Sequence, residues 1–492
     1  MFKGFTAMLD ALKQQANRTV TENGAATLIT TRSDCLDLFA TIGALRNASD
    51  QMIINRFYRA YAENADIAMR ILFYGRDIRG GLGERRVFRI LLHDLAGKHP
   101  ESIRKNLKYI AEMGRYDDLL SLMDTPCRAD VIELVNRQLK QDLFHAARGE
   151  SISLMAKWLP SVNTSNEEAV RMGKLFAREL GMSDSAYRKT LSRLRAHLCI
   201  LENSLRERDY SFSYESQPSR AMYKYRHAFL RNDEERYQAY MEEVSQGKAT
   251  LHTSSLTPAD LVEKALDFRG TPEERKVLDT TWKALENFMD ERNALCVVDT
   301  SGSMFCCGKP RPFAVAMSLG MYFAQRNHGA FRNHFITFST HPRLIEIKGR
   351  DLVDQAQYCR SFSEVADTNI QAVFELILNA AISKRVPQSE MPETIYIISD
   401  MEFNRCARDA SLSNFEYAKK LYEDHGYHLP KTVFWNVQSR NTQQPVDMNE
   451  QGVALVSGYT PRLFNMALSG RMNPHQAMMD TLNNERYACI RA

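Results

Sequence analysis

The run Ala294-Leu295-Cys296-Val297-Val298 ends directly on Asp299-Thr300-Ser301-Gly302-Ser303. A short β-branched apolar run closed by a turn reads as a buried strand. Asp-x-Ser-x-Ser then delivers three oxygen side chains into one loop. A carboxylate and two hydroxyls at alternate positions suit a small hard cation, and Gly302 permits a tight turn between the two serines. The same five residues also fit a helix N-cap that follows a strand. Residues further along bear on that choice. Ala366-Asp367-Thr368-Asn369-Ile370 precedes an apolar-periodic helix pattern through Val373, Phe374, Ile377, Leu378 and Ala381. Thr394-Ile395-Tyr396-Ile397-Ile398-Ser399 is a second buried-strand run, and it ends at Asp400. Asp299, Thr368 and Asp400 therefore fall at the carboxyl ends of strands or in the loops beyond them, where open α/β sheets bind ligands.

This constellation resembles the metal-ion-dependent adhesion site (MIDAS) of von Willebrand factor A (vWA) domains. The resemblance implies Mg²⁺ or Mn²⁺ held by Asp299, Ser301 and Ser303, with Thr368 and Asp400 contributing directly or through water. It also implies a coordination position open to an acidic group of a partner. Two features depart from the pattern. Ala366-Asp367-Thr368 replaces the usual Gly-Gly-Thr, which leaves the role of Asp367 open. The loop after Ser303 carries Phe305, Cys306, Cys307 and Lys309-Pro310-Arg311-Pro312, unusual company for a metal face.

The 492 residues are too many for one ordinary core and predict at least two domains. A hydrophobic content of 44% with 25% charged residues is that of a globular chain. No run has the apolar length to span a bilayer, and Met1-Phe2-Lys3-Gly4-Phe5 opens no secretory signal. Nine scattered cysteines without a Cys-x-x-Cys pair fit a reducing cytoplasm and no zinc site. Catalysis is not expected. An Asp-nucleophile phosphatase wants a second Asp where Ser301 stands, and the Gly-x-Ser-x-Gly elbow of serine hydrolases is missing from this loop.

Residues 1–290 read as helical. Apolar residues recur at three- and four-residue spacing from Asn55 to Tyr74, Val87 to Leu92, Val131 to Phe144 and Leu191 to Leu205. Short Gly or Pro connectors between them suggest a degenerate α-solenoid. A helix from Glu273 to Met289 would lead into the first strand. Positive charge concentrates in this part. Arg70, Arg76, Arg79, Arg85, Arg86 and Arg89 face only Asp77 and Glu84, and residues 171–231 hold thirteen Lys or Arg against six Asp or Glu. Arg76, Arg79, Arg85, Arg86, Arg89, Lys224, Arg226 and Arg231 are the candidate anion-binding residues, with Tyr223 and Tyr225 interleaved as stacking surfaces. The competing account is that Arg76 and Arg85 pair with Asp77, Glu84 or Asp117-Asp118 and hold helices together. Gly80-Gly81-Leu82-Gly83-Glu84-Arg85 lacks the Lys-Ser/Thr of a phosphate loop and reads as a turn between helices.

Ile71-Leu72-Phe73-Tyr74-Gly75-Arg76-Asp77-Ile78-Arg79-Gly80-Gly81-Leu82-Gly83-Glu84-Arg85-Arg86 resembles the signature of a large family of uncharacterised proteins with a C-terminal vWA-like domain. Thr21-Glu22-Asn23-Gly24, Gly114-Arg115-Tyr116-Asp117-Asp118-Leu119 and Ser399-Asp400-Met401-Glu402-Phe403 continue the match. That family is distantly similar to the TROVE module of Ro ribonucleoproteins. The resemblance implies an N-terminal HEAT-like all-helical domain (1–290) followed by a vWA-like, Rossmann-like doubly wound α/β domain (291–492). Two functions are consistent with it. One is a ribonucleoprotein-type scaffold that binds structured or single-stranded RNA through the basic residues. The other is an adaptor whose metal binds an acidic group of a protein partner, without RNA.

Overall fold

The computed structural model describes residues 3–289, 291–305, 308–338, 341–363, 368–405, 412–465 and 473–492. Residues 1–71 and 256–488 form one compact unit, and residues 72–255 with 489–492 form the second. The expected single break near residue 290 falls inside the first unit.

The first unit is built on a six-stranded mixed sheet. Two short strands, β1 (Arg18–Val20) and β2 (Ala26–Leu28), form a separate antiparallel ribbon. The sheet strands are β3 (Ala294–Asp299), β4 (His334–Phe338), β5 (Arg343–Glu346), β6 (Thr394–Ser399), β7 (Lys431–Asn436) and β8 (Val453–Ser457). They lie in the order β5-β4-β3-β6-β7-β8, and all neighbours run parallel except β4 and β5. The order reverses between β3 and β6. Ligands of doubly wound sheets bind beyond the strand ends at that reversal.

Both faces of the sheet are covered, so β3 and β6 carry continuous apolar runs and every residue of each is buried. On one face, Leu295, Val297, Ile395, Ile397, Phe434 and Leu455 share a core with Ile370, Val373, Phe374 and Leu378 of the helix Ile370–Lys384. The helix Pro312–Arg326 packs against β3, β4 and β6, and it is buried from Pro312 to Ala324. Gly320 permits that approach: a Cβ there would run into Val298 Cγ2.

The N-terminal segment, expected to be helical, instead contributes the ribbon, which joins the sheet unit. Leu28 and Gln444 exchange backbone hydrogen bonds at 3.1 and 2.8 Å, and Arg405 N donates to Asn23 O at 3.3 Å. Thr21 Oγ1 donates to Phe403 O at 2.5 Å. These pairings link residues about 380 to 420 positions apart in the chain, which no local periodicity reports.

Between residues 72 and 255, the described residues form helices and turns. Neighbouring helices pack on one another: Arg86–Lys98 on Pro100–Met113, Pro100–Met113 on Arg128–Ala147, Glu167–Glu179 on Asp184–His197, and Ser219–Asn232 on Glu234–Ser245. The periodicity from Leu191 to Leu205 predicts one helix, but the chain breaks into Asp184–His197 and Leu201–Glu207. Cys199 sits between them at φ 46°, a left-handed conformation that no α-helix continues through. No helix among the described residues is long and apolar enough to cross a membrane.

Candidate metal centre

Strand β3 ends on Asp299, which is fully buried. Its carboxylate accepts from Ser301 N at 2.9 Å on Oδ1 and from Ser399 Oγ at 2.5 Å on Oδ2. The second bond crosses from β3 to β6, the two strands that flank the reversal. Ser301 Oγ and Ser303 Oγ lie 3.2 Å apart, with Ser301 buried and Ser303 half-buried. The alternate spacing of Asp-x-Ser-x-Ser thus leaves the hydroxyls together while the Ser301 backbone folds back onto the carboxylate.

Asp400 follows β6 and is also buried. Its Oδ1 accepts from Glu402 N at 3.2 Å, and its Oδ2 accepts from Arg440 Nη2 at 2.9 Å. Thr368 is buried and tied to the stretch after Asp400: it exchanges backbone and side-chain hydrogen bonds with Asn404 at 2.9 and 3.1 Å. Asp367, Cys306 and Cys307 lie outside the described residues.

Burial pushes the Asp299 carboxyl up to about 7, the charge of Asp400 adds to the rise, and the serine donors only partly oppose it. Two carboxylates therefore share a dry region short of positive charge. Among the described residues, no group of three or more His, Cys, Asp and Glu side chains forms a ligand cluster. Here the Ser301 and Ser399 hydroxyls stand at the Asp299 carboxylate, with the Asp400 charge close by. That all-oxygen donor set fits a hard divalent cation and not a soft one.

The family profile Domain of unknown function (DUF2828) matches residues 21–148 and 128–295, more than half of the chain. The chain belongs to the DUF2828 family. A second profile, Domain of unknown function (DUF7788), matches residues 293–488 and so takes in the whole sheet from β3 onward. A relative of this DUF2828 protein, described as uncharacterized protein L728 of Acanthamoeba polyphaga mimivirus, is 28% identical over 509 residues, covering 95% of this chain and 87% of its own. The crystal structure of the Deinococcus radiodurans Ro (RSR) protein is similar over 89% of this chain and 93% of that one, at a TM-score of 0.38 and 14% identity.

The basic residues of the DUF2828 protein fall into two kinds. Arg76 is 2% exposed and donates from Nε to Asp118 Oδ2 at 2.8 Å, with Nη2 of the same guanidinium at 2.7 Å. Arg89 donates from Nε to Asp118 Oδ1 at 2.7 Å and lies 2.8 Å from Asp117. Arg115 pairs with Asp117 and stacks over the Trp158 ring at 3.8 Å. Arg76 and Arg89 therefore serve the packing of the helical unit and are withdrawn from the candidate RNA surface. Their sequence signal misleads because an arginine run looks the same whether its carboxylates lie in solvent or forty residues along the chain. Gly81 belongs to this framework too, since a Cβ there would strike the Tyr74 carbonyl.

Arg79, Arg85, Arg86, Lys224 and Arg231 are exposed, and Arg226 is half-buried. Arg226 lies over the Tyr223 ring at 4.3 Å and Lys224 over Tyr225 at 4.6 Å, so each interleaved tyrosine already carries a cation. Arg79 and Arg85 lie in the turn before the helix Arg86–Lys98, which Arg86 opens, whereas Lys224, Arg226 and Arg231 lie on the helix Ser219–Asn232. Sequence reasoning missed Arg440, Glu22 and Glu402 around Asp400. The latter two sit in matched family motifs, which was the available signal; nothing in sequence marks Arg440.

Proposed function

We propose that this DUF2828 protein is a non-catalytic, cytoplasmic scaffold whose sheet unit is a vWA-like binding module for an acidic ligand. The observation that carries this reading is Asp299: a fully buried carboxylate at the reversal of a doubly wound sheet, joined to Ser399 across the reversal and followed by the paired hydroxyls of Ser301 and Ser303. Asp299, Ser301 and Ser303 are the direct ligands of Mg²⁺ or Mn²⁺ in this reading, and Thr368 and Asp400 contribute directly or through water. The bound ion supplies the charge the carboxylates lack and a position for a partner carboxylate or phosphate. Ser399 positions Asp299, and Asn404 positions Thr368. In a thermal melt, Mg²⁺ raises the midpoint of the wild-type protein and leaves Asp299→Ala unmoved; equal shifts in both proteins overturn the reading.

A second function rests on the helical unit. Arg79, Arg85, Arg86, Lys224 and Arg231 remain on its surface, and a surface of guanidinium and ammonium groups suits the phosphates of structured or single-stranded RNA. Arg226 contributes only its exposed edge.

A further inference from the structure

Asp400 already has a cation beside it. Arg440 reaches Asp400 Oδ2 with Nη2 at 2.9 Å and Glu22 Oε2 with Nη1 at 3.0 Å. The Asp400 side chain is 1% exposed, Arg440 28% and Glu22 47%. Neither end of this bridge is free to drift. Glu402, buried two residues after Asp400, accepts from Glu22 N at 2.9 Å, Asn441 Nδ2 at 2.9 Å and Gln443 Nε2 at 2.7 Å. It thereby fixes both the N-terminal segment and the loop that carries Arg440. Burial works against the Arg440 charge, yet Asp400, Glu22 and Glu402 hold its pKa above the ordinary value. Arg440 Nε is buried without a hydrogen-bond partner, so the guanidinium is placed by these ion pairs and not by a full set of hydrogen bonds.

We propose that Arg440 sets the affinity of the metal centre. It is an internal monovalent cation that neutralises Asp400 when no metal is bound and repels the divalent ion that enters beside it. Glu22 draws on its other arm and moderates that repulsion. The inference rests on the metal reading of Asp299, Ser301 and Ser303. The sign of each charge change follows from Coulomb's law. Removing the Arg440 charge takes repulsion away from the metal-bound state and leaves the metal-free carboxylates uncompensated, and both effects favour metal binding. Removing the Glu22 charge leaves more of the guanidinium field on the centre and disfavours it. A residue that merely held the loop in shape would weaken binding in both variants.

The test is calorimetric titration of the full chain with Mg²⁺ and with Mn²⁺ alone. Arg440→Gln binds at least about tenfold tighter than wild type, since even water-like screening leaves that much repulsion between a single and a double positive charge a few ångströms apart. Arg440→Lys, which keeps the charge, stays near wild type, and Glu22→Gln binds more weakly. In EDTA, Arg440→Gln melts below wild type, and saturating Mg²⁺ narrows the gap. Wild-type binding that is unchanged or weakened in Arg440→Gln overturns the proposal while leaving the metal reading intact. Wild type, Arg440→Gln and Asp299→Ala all failing to bind either ion overturns both. Glu22→Gln lies at a half-exposed position and keeps the proposal falsifiable if Arg440→Gln does not fold: equal or tighter binding there overturns it.

Discussion

Two buried charge systems of this protein are balanced in opposite directions. In the helical unit, Asp118 meets Arg76 and Arg89 at 2.7 Å each, and Asp117 meets Arg89 at 2.8 Å together with Arg115. Guanidiniums outnumber carboxylates there, and both oxygens of Asp118 are taken. In the sheet unit, the described residues give Asp299 the hydroxyls of Ser399 and Ser301 and the Ser301 backbone N–H, and they give Asp400 one arginine that it shares with Glu22. Buried charge by itself therefore does not mark a site. What separates these two is the sign of the local surplus: positive charge suffices around Asp118, and it falls short around Asp299 and Asp400, where the proposed cation would sit.

The comparison breaks first at Asp118. Asp118→Ala strands Arg76 in a dry interior, and taking one member from a buried pair costs about 3–5 kcal/mol. Urea denaturation reads this directly; a loss below about 1 kcal/mol would mean that the network does not hold the helices.

A smaller effect sharpens the other half. Burial, and after it the charge of Asp400, push the Asp299 carboxyl up to about 7, against an ordinary value near 3.9. The native state thus holds an extra proton between those values. In EDTA, stability falls as pH rises from about 4 to about 7, since the folded state binds more protons than the unfolded one across that window. Asp299→Asn has no such proton and removes that part of the slope. Melting midpoints of the two proteins that run parallel from about pH 4 to about pH 7.5 would show Asp299 to be ordinary.

The smallest stability effect belongs to the exposed basic residues. Neutralising Lys224 and Arg231 together changes stability within about 0.5 kcal/mol, because solvated surface substitutions rarely cost more. The same change weakens binding to single-stranded RNA and lowers its salt slope by roughly 0.7 for each phosphate that is no longer neutralised. An unchanged slope removes these two residues from the RNA surface.

The sequence by itself determined what short-range chemistry controls. The apolar runs at 294–298 and 394–399 read as buried strands and fold as such, with Asp299 closing the first and Asp400 following the second; Thr368, expected at a strand end, lies instead between the helices Leu352–Arg360 and Ile370–Lys384. The helix after Asn369 and the turn at Arg79–Gly83 follow from spacing and glycine placement. Each of these signals lies within a few residues, where periodicity and turn propensity act. Only the tertiary structure decided which charges meet. Arg76 finds Asp118 from 42 positions away, and Glu22 finds Glu402 from 380. It likewise decided that residues 1–71 belong with the sheet, through backbone pairing that leaves no periodic trace. An arginine bound to a buried carboxylate and one standing in water are spelled identically; burial and partner geometry distinguish them, and both are properties of the folded chain.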